Sequence, residues 1–272
     1  MIDISKIDYS VLDRPEVSMA LFHPRPELRP SDSKNSFQDV LIPVEDNIVI
    51  GATFHLKEKS APNILFFHGN GEIVSDYDEL GIIYNGMNIN FLPVDYRGYG
   101  RSTGKSCITA MIKDAHLIFE FVMNWFQQNR YNGPMIVMGR SLGSASALEL
   151  AANYNDRFDG LIIESGFAYA APLLQLIGVN IKALGFSEKK GFRNADKIKN
   201  FDKSTLIIHA KQDQIIPFSD GQKLYEASQS NDKTFLEIPG ANHNNIFQRG
   251  FQEYMTAVKT LAEKVSKIKE NR

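Results

Sequence analysis

Apolar residues in this chain fall into short continuous runs separated by longer stretches with helical spacing. From residue 63 onward the runs are NILFF, NINFLPVDY, PMIVM, GLIIESGF, STLIIHA and KTFLEIPG. Short runs of this apolar character are typical of strands buried on both faces of a parallel sheet. The stretches between them favour helices, including residues 75–86, 109–128 and 245–265. Strands that alternate with helices predict an α/β fold, with a mostly parallel sheet and helices on both faces.

The part of the chain before residue 63 follows other patterns. FQDVLIPVE and NIVIGATFHL alternate apolar and polar residues, which indicates two antiparallel strands joined at Glu45-Asp46-Asn47. These two strands bring the predicted sheet to eight strands. Residues 1–36 are polar and rich in proline. They are therefore expected to form a peripheral N-terminal segment wrapped over the main domain of residues 37–272.

Residues 168–203 interrupt the alternation, because they separate two strands by more than a single crossover helix needs. The stretch AYAAPLLQLIGVNIKALGF is apolar enough to form a small helical cap over the carboxyl ends of the strands. Ligands bind at that edge in open α/β sheets. The alternative is a crossover helix followed by an irregular loop that packs as core.

The segment PMIVMGRSLGSASALELAANY carries the strongest chemical signal. A strand, a sharp turn with Ser141 at its tip and a helix follow one another directly, which is the layout of a nucleophile elbow. Such a turn strains the backbone, and side chains two residues before and after would crowd the serine. Gly139 and Gly143 occupy these two positions. The helix points backbone N–H groups at the serine, so the N–H of Leu142 can face a developing oxyanion.

Ser102 lies in a second G-x-S-x-G stretch, GRSTG. Its surroundings differ, because the loop YRGYGRSTGKS is polar and rich in glycine and lies some residues past the strand NINFLPVDY. A nucleophile elbow needs a strand directly before the serine and a helix directly after it. Ser141 is therefore the expected nucleophile.

A serine hydroxyl needs a base within hydrogen-bond reach, and the base needs an orienting acid. Among the six histidines, His243 is favoured because it lies in GANHNN directly after the last strand, where a loop can bring it over the serine. His209 lies inside the run STLIIHA and is expected to face helices or the sheet. Asp213, in HAKQDQIIP, is the favoured acid. Glu164, from one strand earlier, and Asp220, at the start of the next helix, are the alternatives.

The loop HGNG after the strand NILFF is the expected source of a second oxyanion donor. Gly69 and Gly71 let this loop turn tightly and bring its backbone close to the serine. The N–H of Asn70 is the predicted donor, and His68 is expected to brace the loop.

Five motifs in this order resemble the α/β-hydrolase superfamily, and in particular its small-cap serine hydrolases of the Bem46-like and depalmitoylase-related branch. The motifs are HGNG, DYRGYGRSTG, GRSLGS, HAKQDQIIP and GANHNN, and the resemblance covers about residues 37–267. It implies an α/β-hydrolase fold and activity on esters or thioesters. The site that it implies has a triad of Ser141, Asp213 and His243 with oxyanion donors at Asn70 and Leu142.

Composition narrows the expected partners. A formal net charge of −2 provides no basic field for nucleic acid. The single cysteine, Cys107, excludes an internal disulfide and a cysteine-based zinc site, and it fits a reducing compartment. The first residues are acidic and broken by proline, unlike a signal peptide, and no apolar run is long enough to span a bilayer. We therefore expect a cytoplasmic protein with a small-molecule ester or acyl substrate and with no metal or organic cofactor.

The leading hypothesis is a serine hydrolase that cleaves carboxylic esters or thioesters through an acyl-enzyme. The apolar stretch within residues 168–203 favours apolar acyl chains. One alternative is a serine peptidase of the aminopeptidase or oligopeptidase type, although the chain lacks room for a propeller or a large lid. The other is a non-catalytic binding protein on the same fold. The intact set of candidate residues argues against a binding protein.

Overall fold

The sheet has the predicted size and mostly parallel character. The computed structural model describes residues 2–28 and 37–271, and within these ranges eight strands form one sheet in the order β1-β2-β4-β3-β5-β6-β7-β8. The strands are β1 (Gln38–Glu45), β2 (Ile48–Phe54), β3 (Asn63–Phe67), β4 (Asn90–Val94), β5 (Met135–Arg140), β6 (Gly160–Glu164), β7 (Ser204–Ala210) and β8 (Lys233–Ile238). The β1–β2 and β2–β4 pairs are antiparallel, and all pairs from β4–β3 to β7–β8 are parallel. The fold is that of an α/β hydrolase.

Helices cover both faces of this sheet. They are α1 (Pro15–Leu21), α2 (Asp78–Gly86), α3 (Ile108–Asn129), α4 (Gly143–Asn153), α5 (Ala170–Leu176), α6 (Asn194–Lys197), α7 (Phe218–Ala227), α8 (Ile246–Arg249) and α9 (Phe251–Glu270). Buried side chains of α3 and α4 share one core cluster with one face of the sheet. Those of α2 and α9 share a second cluster with the other face. None of the helices in the described ranges combines the length and apolar character that a membrane span needs.

The C-terminal helix differs from its prediction over residues 245–265. It is broken at Gly250, whose φ of −117° and ψ of 30° separate α8 from α9, and α9 then continues to Glu270. A Cβ on Gly250 would lie 2.6 Å from the side chain of Ile238 at the end of β8. The glycine therefore lets the chain turn close against the sheet, a tertiary contact that helical spacing does not reveal.

The N-terminal segment contributes to the main core. Leu12 and Val17 are fully buried and Leu21 is 4 % exposed, and all three belong to the cluster that contains α3. The N–H of Thr109, at the start of α3, donates to Asp13 Oδ1 at 2.9 Å. The segment is thus fastened to the domain by both apolar and polar contacts. Residues 29–36 of the predicted peripheral segment lie outside the described residues.

Residues 168–203 contain α5, α6 and two short 3₁₀ turns at Glu188–Lys190 and Ile198–Asn200. The Glu188 carboxylate accepts the first N–H groups of α5, from Ala170 at 3.1 Å and from Ala171 at 2.6 Å. A carboxylate at this position satisfies donors that the helix itself leaves unpaired. This contact fixes α5 against the rest of the 168–203 region.

Candidate active site

Ser141 occupies a strained turn between β5 and α4. Its φ is 49°, a left-handed conformation that costs a non-glycine residue about 1–2 kcal/mol. The Ser141 N–H donates to the carbonyl oxygen of Glu164 at 2.8 Å, at the end of the neighbouring strand β6. The Ser144 hydroxyl donates to the carbonyl oxygen of Ser141 at 2.6 Å. These bonds hold the strained turn that the sequence pattern predicts.

Gly139 and Gly143 leave no space for a side chain on either side of the turn. A Cβ on Gly139 would lie 2.7 Å from the carbonyl carbon of Gly143. A Cβ on Gly143 would lie 2.6 Å from the carbonyl carbon of Phe67 and 2.7 Å from the carbonyl oxygen of His68. Since these neighbours are backbone atoms, they cannot move aside without displacing β3 or the turn itself. Close packing therefore explains both glycines.

The structure brings the predicted nucleophile, base and acid into one hydrogen-bonded line. Ser141 Oγ lies 2.9 Å from His243 Nε2, and His243 Nδ1 lies 2.7 Å from Asp213 Oδ2. The other carboxylate oxygen of Asp213 accepts the N–H groups of Ile215 at 2.9 Å and Ile216 at 2.8 Å. With the carboxylate fixed in this way, Nδ1–H can donate to it, which leaves Nε2 free to accept the serine proton.

The Asp213 carboxyl is held in its charged form. Burial acts to raise its pKa, but the hydrogen bond and charge of His243 and the N–H groups of Ile216 and Ile215 outweigh burial, so that the pKa lies below its ordinary value. His209 Nε2 lies 3.6 Å from the same carboxylate but donates to the carbonyl oxygen of Ile216 at 3.0 Å. Burial lowers the pKa of His209, which favours its neutral form. His209 therefore braces the acid loop from the buried side.

The two alternative acids have other partners. Glu164 pairs with Arg140 Nη1 at 2.8 Å and accepts the Tyr254 hydroxyl at 2.6 Å. Asp220, near the start of α7, accepts the N–H of Ala168 at 3.1 Å. Of the three candidate carboxylates, Asp213 is the one that lies against the candidate base.

Ser102 makes hydrogen bonds to β2 and within its own loop. Its Oγ accepts the N–H of Gly51 in β2 at 2.8 Å, and its own N–H donates to the carbonyl oxygen of Tyr99 at 2.8 Å. The next residue, Thr103, donates its N–H to the carbonyl oxygen of Val49 at 3.0 Å. The polar, glycine-rich loop around Ser102 is thus fastened to β2.

The loop after β3 lies beside the serine turn, and Gly69, Asn70, Ser141 and Leu142 line one cavity of about 220 Å³. The backbone N–H groups of Asn70 and Leu142 make no hydrogen bond to another residue in the described parts of the chain. Two such donors beside a nucleophile can bind an oxyanion. His68 braces the loop, because its Nδ1 donates to the carbonyl oxygen of Gly69 at 2.7 Å.

The side chain of Asn70 is fixed by the N-terminal segment, a contact that no pattern in the sequence predicts. Asn70 Oδ1 accepts the N–H of His23 at 3.0 Å and the hydroxyl of Tyr99 at 2.7 Å. Asn70 Nδ2 donates to His23 Nδ1 at 2.8 Å. Arg25 Nε donates to the carbonyl oxygen of Gly71 at 2.8 Å. The segment therefore holds the loop that carries one candidate oxyanion donor.

Both apolar and polar side chains line the rest of this cavity. The apolar ones come from α1, the serine turn, α5 with the residue after it, and the loop after β7: Ala20, Leu21, Leu142, Leu173, Ile177 and Ile215. The polar ones are His23, Glu72, Arg140, His243 and Asn244. A larger cavity of about 490 Å³ lies between β7, β8 and α9, but it contains none of the candidate residues. Within the described ranges, no group of three or more His, Cys, Asp or Glu side chains could hold a metal ion.

Arg140 is a charged residue at the site that no pattern in the sequence predicts. It lies between Gly139 and Ser141, its side chain is 11 % exposed, and it pairs with the carboxylates of Glu72 and Glu164. Burial acts to lower the pKa of Arg140, but these two carboxylates outweigh burial and raise it, so the guanidinium stays charged. The one signal in the sequence is its position at the end of a buried strand, where a charge requires partners.

Comparisons with known proteins agree with this architecture. Residues 58–189 match the family described as serine aminopeptidase, S33. The chain is 25 % identical to the protein bem46 of Schizosaccharomyces pombe over 79 % of this chain and 74 % of that protein. It is 30 % identical to the human alpha/beta hydrolase domain-containing protein 17B over 67 % of this chain and 60 % of that protein. A solved esterase of Pyrococcus furiosus superposes with a TM-score of 0.71 at 17 % identity, covering 90 % of this chain and 98 % of the esterase, which shows a shared fold.

Proposed function

This chain belongs to the α/β-hydrolase superfamily, and on that premise we propose that it is a serine hydrolase that cleaves carboxylic esters or thioesters through an acyl-enzyme. The observation that carries the proposal is the hydrogen-bonded line from Asp213 through His243 to Ser141, with distances of 2.7 and 2.9 Å. The N–H groups of Asn70 and Leu142 beside the serine, which have no hydrogen-bond partner among the described residues, support it.

In the acylation step, Ser141 Oγ attacks the carbonyl carbon of the substrate while His243 Nε2 takes its proton. The Asp213 carboxylate stabilises the resulting imidazolium without taking up the proton itself. The negative charge that develops on the carbonyl oxygen would be bound by the N–H groups of Leu142 and Asn70. A single donor of this kind contributes about 3 kcal/mol to transition-state stabilisation.

The intermediate then collapses. The bond from the acyl carbon to the leaving oxygen or sulfur breaks, and the imidazolium of His243 donates its proton to the leaving group. A water molecule next attacks the acyl-enzyme and loses its proton to His243, which finally returns that proton to Ser141. This sequence of steps requires no metal or organic cofactor.

The apolar part of the cavity lining favours an apolar acyl group. Leu173 and Ile177, which belong to the 168–203 region, contribute to this lining. We therefore propose that residues 168–203 act as a small cap on the domain of residues 37–272. A cytoplasmic location stays a prediction from the sequence.

A serine peptidase is the second candidate, because the matched family is described as a serine aminopeptidase. Peptide and ester hydrolysis would use the same nucleophile and base. Aminoacyl- and prolyl-arylamides distinguish the two candidates: faster turnover of an arylamide than of every ester and thioester would favour the peptidase.

The test is hydrolysis of p-nitrophenyl butyrate and of a palmitoyl thioester by the wild-type chain and by Ser141→Ala. We expect the wild type to hydrolyse at least one of them and Ser141→Ala to hydrolyse neither. The ratio of the two rates then identifies an esterase or a thioesterase. Equal activity of the wild type and Ser141→Ala would contradict the proposed mechanism.

A further inference from the structure

Three loops of the candidate site meet at the Arg140 side chain. Arg140 ends β5 and directly precedes the nucleophile, so its backbone belongs to the serine turn. Its Nη1 and Nη2 donate to the carbonyl oxygen of His243 at 3.3 and 3.2 Å. Its Nε donates to Glu72 Oε1 at 2.9 Å. One guanidinium thus touches the serine turn, the histidine loop and the segment after the oxyanion loop.

Glu72 extends this contact to the oxyanion loop itself. Its Oε2 accepts the N–H of Gly69 at 2.6 Å and the hydroxyl of Tyr77 at 2.5 Å. The N–H of Gly69 is therefore occupied, whereas that of the next residue, Asn70, stays unpaired among the described residues. Glu72 fixes the backbone directly before the candidate donor.

Each carboxylate oxygen of Glu72 and Glu164 has a hydrogen-bond partner in the network around Arg140. Glu164 Oε1 pairs with Arg140 Nη1 at 2.8 Å, and Glu164 Oε2 accepts the Tyr254 hydroxyl at 2.6 Å. Both carboxylates therefore have a charged donor on one oxygen and a tyrosine hydroxyl on the other. Although burial acts to raise the pKa of Glu72, Arg140 and Tyr77 outweigh it and hold that pKa below its ordinary value. Charge-assisted hydrogen bonds of this kind are the strong ones in proteins.

The histidine loop also has hydrogen bonds of its own. The N–H of Asn242 donates to Asn245 Oδ1 at 2.7 Å, and the N–H of Asn244 donates to Asn242 Oδ1 at 3.0 Å. The N–H of Gln212, beside the acid, donates to the carbonyl oxygen of Ala241 at 2.9 Å. Among the described residues, Arg140 joins the backbone of His243 to the strand that carries the nucleophile.

We propose that Arg140 is a positioning residue, which locks the serine turn, the histidine loop and, through Glu72, the oxyanion loop into one rigid unit. This proposal rests on the proposed hydrolase function. Arg140 lines the cavity at Ser141, but its Nε, Nη1 and Nη2 all donate to protein acceptors. We therefore assign its effect to the loops rather than to binding of substrate. Lysine cannot replace it, because a single ammonium lacks the planar fork that reaches three acceptors at once.

The experiment compares Arg140→Met and Arg140→Lys with the wild type. Arg97→Met is the matched control, because Arg97 also pairs with two carboxylates, Asp114 at 2.7 and 2.8 Å and Glu45 at 2.8 Å. None of these three residues lines the cavity at Ser141. Steady-state kinetics with p-nitrophenyl butyrate give kcat and KM, the rate of fluorophosphonate labelling reports the nucleophile, and thermal denaturation reports folding. Glu72→Gln, which keeps its size but loses the charge, carries the test if Arg140→Met does not fold.

We expect both Arg140 variants to lose about 100-fold in kcat and in labelling rate, with KM changed by less than about threefold, because a displacement of about 1 Å can cost this much. Glu72→Gln should lose about tenfold, and Arg97→Met should keep kcat within about threefold of the wild type. Unchanged kcat in folded Arg140 variants overturns the positioning role, as does a loss confined to KM, full rescue by lysine, or an equal loss in Arg97→Met. A wild type that neither labels nor turns over any probe overturns the proposed function and the positioning role together.

Discussion

Replacing Gly143 with alanine tests the serine turn with a single added carbon. The new Cβ would lie 2.6 Å from the carbonyl carbon of Phe67 and 2.7 Å from the carbonyl oxygen of His68. Carbon atoms in ordinary contact are about 3.5–4.0 Å apart, so the overlap is about 1 Å. Phe67 lies opposite Gly139 in the parallel pairing of β3 and β5 and cannot withdraw from the sheet. The start of α4 must move instead, and it takes Ser141 and Leu142 with it.

The size of the effect follows from this overlap. Overpacking a well-packed site lowers the free energy of unfolding by about 1–3 kcal/mol. Because the added carbon clashes with backbone on two sides, we expect Gly143→Ala to cost about 3 kcal/mol. A change of 1 kcal/mol shifts the melting temperature by about 2–4 °C in a chain of roughly this size, so we expect a decrease of about 6–12 °C. A displacement of about 1 Å at the nucleophile should also lower kcat about 100-fold.

Gly86→Ala is the matched control for this change. Gly86 is the last residue of α2, and a Cβ there would meet nothing within 4 Å. We expect its melting temperature to stay level or rise by about 2–4 °C, because alanine restricts the unfolded chain more than glycine does, by up to about 1 kcal/mol. Circular dichroism melts and p-nitrophenyl butyrate hydrolysis measure both variants. A Gly143→Ala variant that melts and turns over like the wild type would refute the packing argument.

Three further predictions concern the acid, the cavity and the pH dependence of stability. Asp213→Asn should lower kcat by about 10³–10⁴-fold, because an amide favours the wrong imidazole tautomer; a loss below about tenfold in ester hydrolysis contradicts this. Ile177→Trp, which narrows the cavity, should lower kcat/KM about tenfold for p-nitrophenyl decanoate but hardly for the acetate, and an equal loss for both esters would refute an acyl site there. Glu149 lies 3.1 Å from His116 and 2.6 Å from Lys197, which together outweigh burial and lower its pKa from 4.5 to about 2. Ionised Glu149 therefore contributes about 3 kcal/mol to the free energy of unfolding, in full above pH 4.5 and progressively less as the pH falls towards 2. Equal slopes of unfolding free energy against pH for the wild type and Glu149→Gln would contradict this.

Local apolar pattern was sufficient to predict the centre of the sheet. The strand predicted over residues 63–67 is β3, and the one predicted over 204–210 is β7, with the same bounds. Every residue of both strands is buried. A central strand has neighbouring strands on both sides and helices on both faces, so it needs apolar residues along its whole length. The ends of the apolar run therefore indicate the ends of the strand.

The network around Arg140 could not be predicted in the same way. Parallel strands bring residues 72, 140 and 164 to one edge of the sheet, but sequence does not specify which side chains turn inward to pair there. The docking of Ala20 and Leu21 into the cavity wall was equally hidden, because α1 is a short helix far from the serine along the chain. Contacts between distant segments depend on tertiary packing, which periodicity along one segment does not encode.

Fluorophosphonate labelling of the purified chain, with the adduct located by peptide mass spectrometry, tests most directly whether Ser141 is the nucleophile. We expect a single adduct on the peptide that contains Ser141, absent in Ser141→Ala, strongly slowed in His243→Ala and unchanged in Ser102→Ala. An adduct that persists in Ser141→Ala, or that maps to Ser102, would exclude Ser141 as the nucleophile.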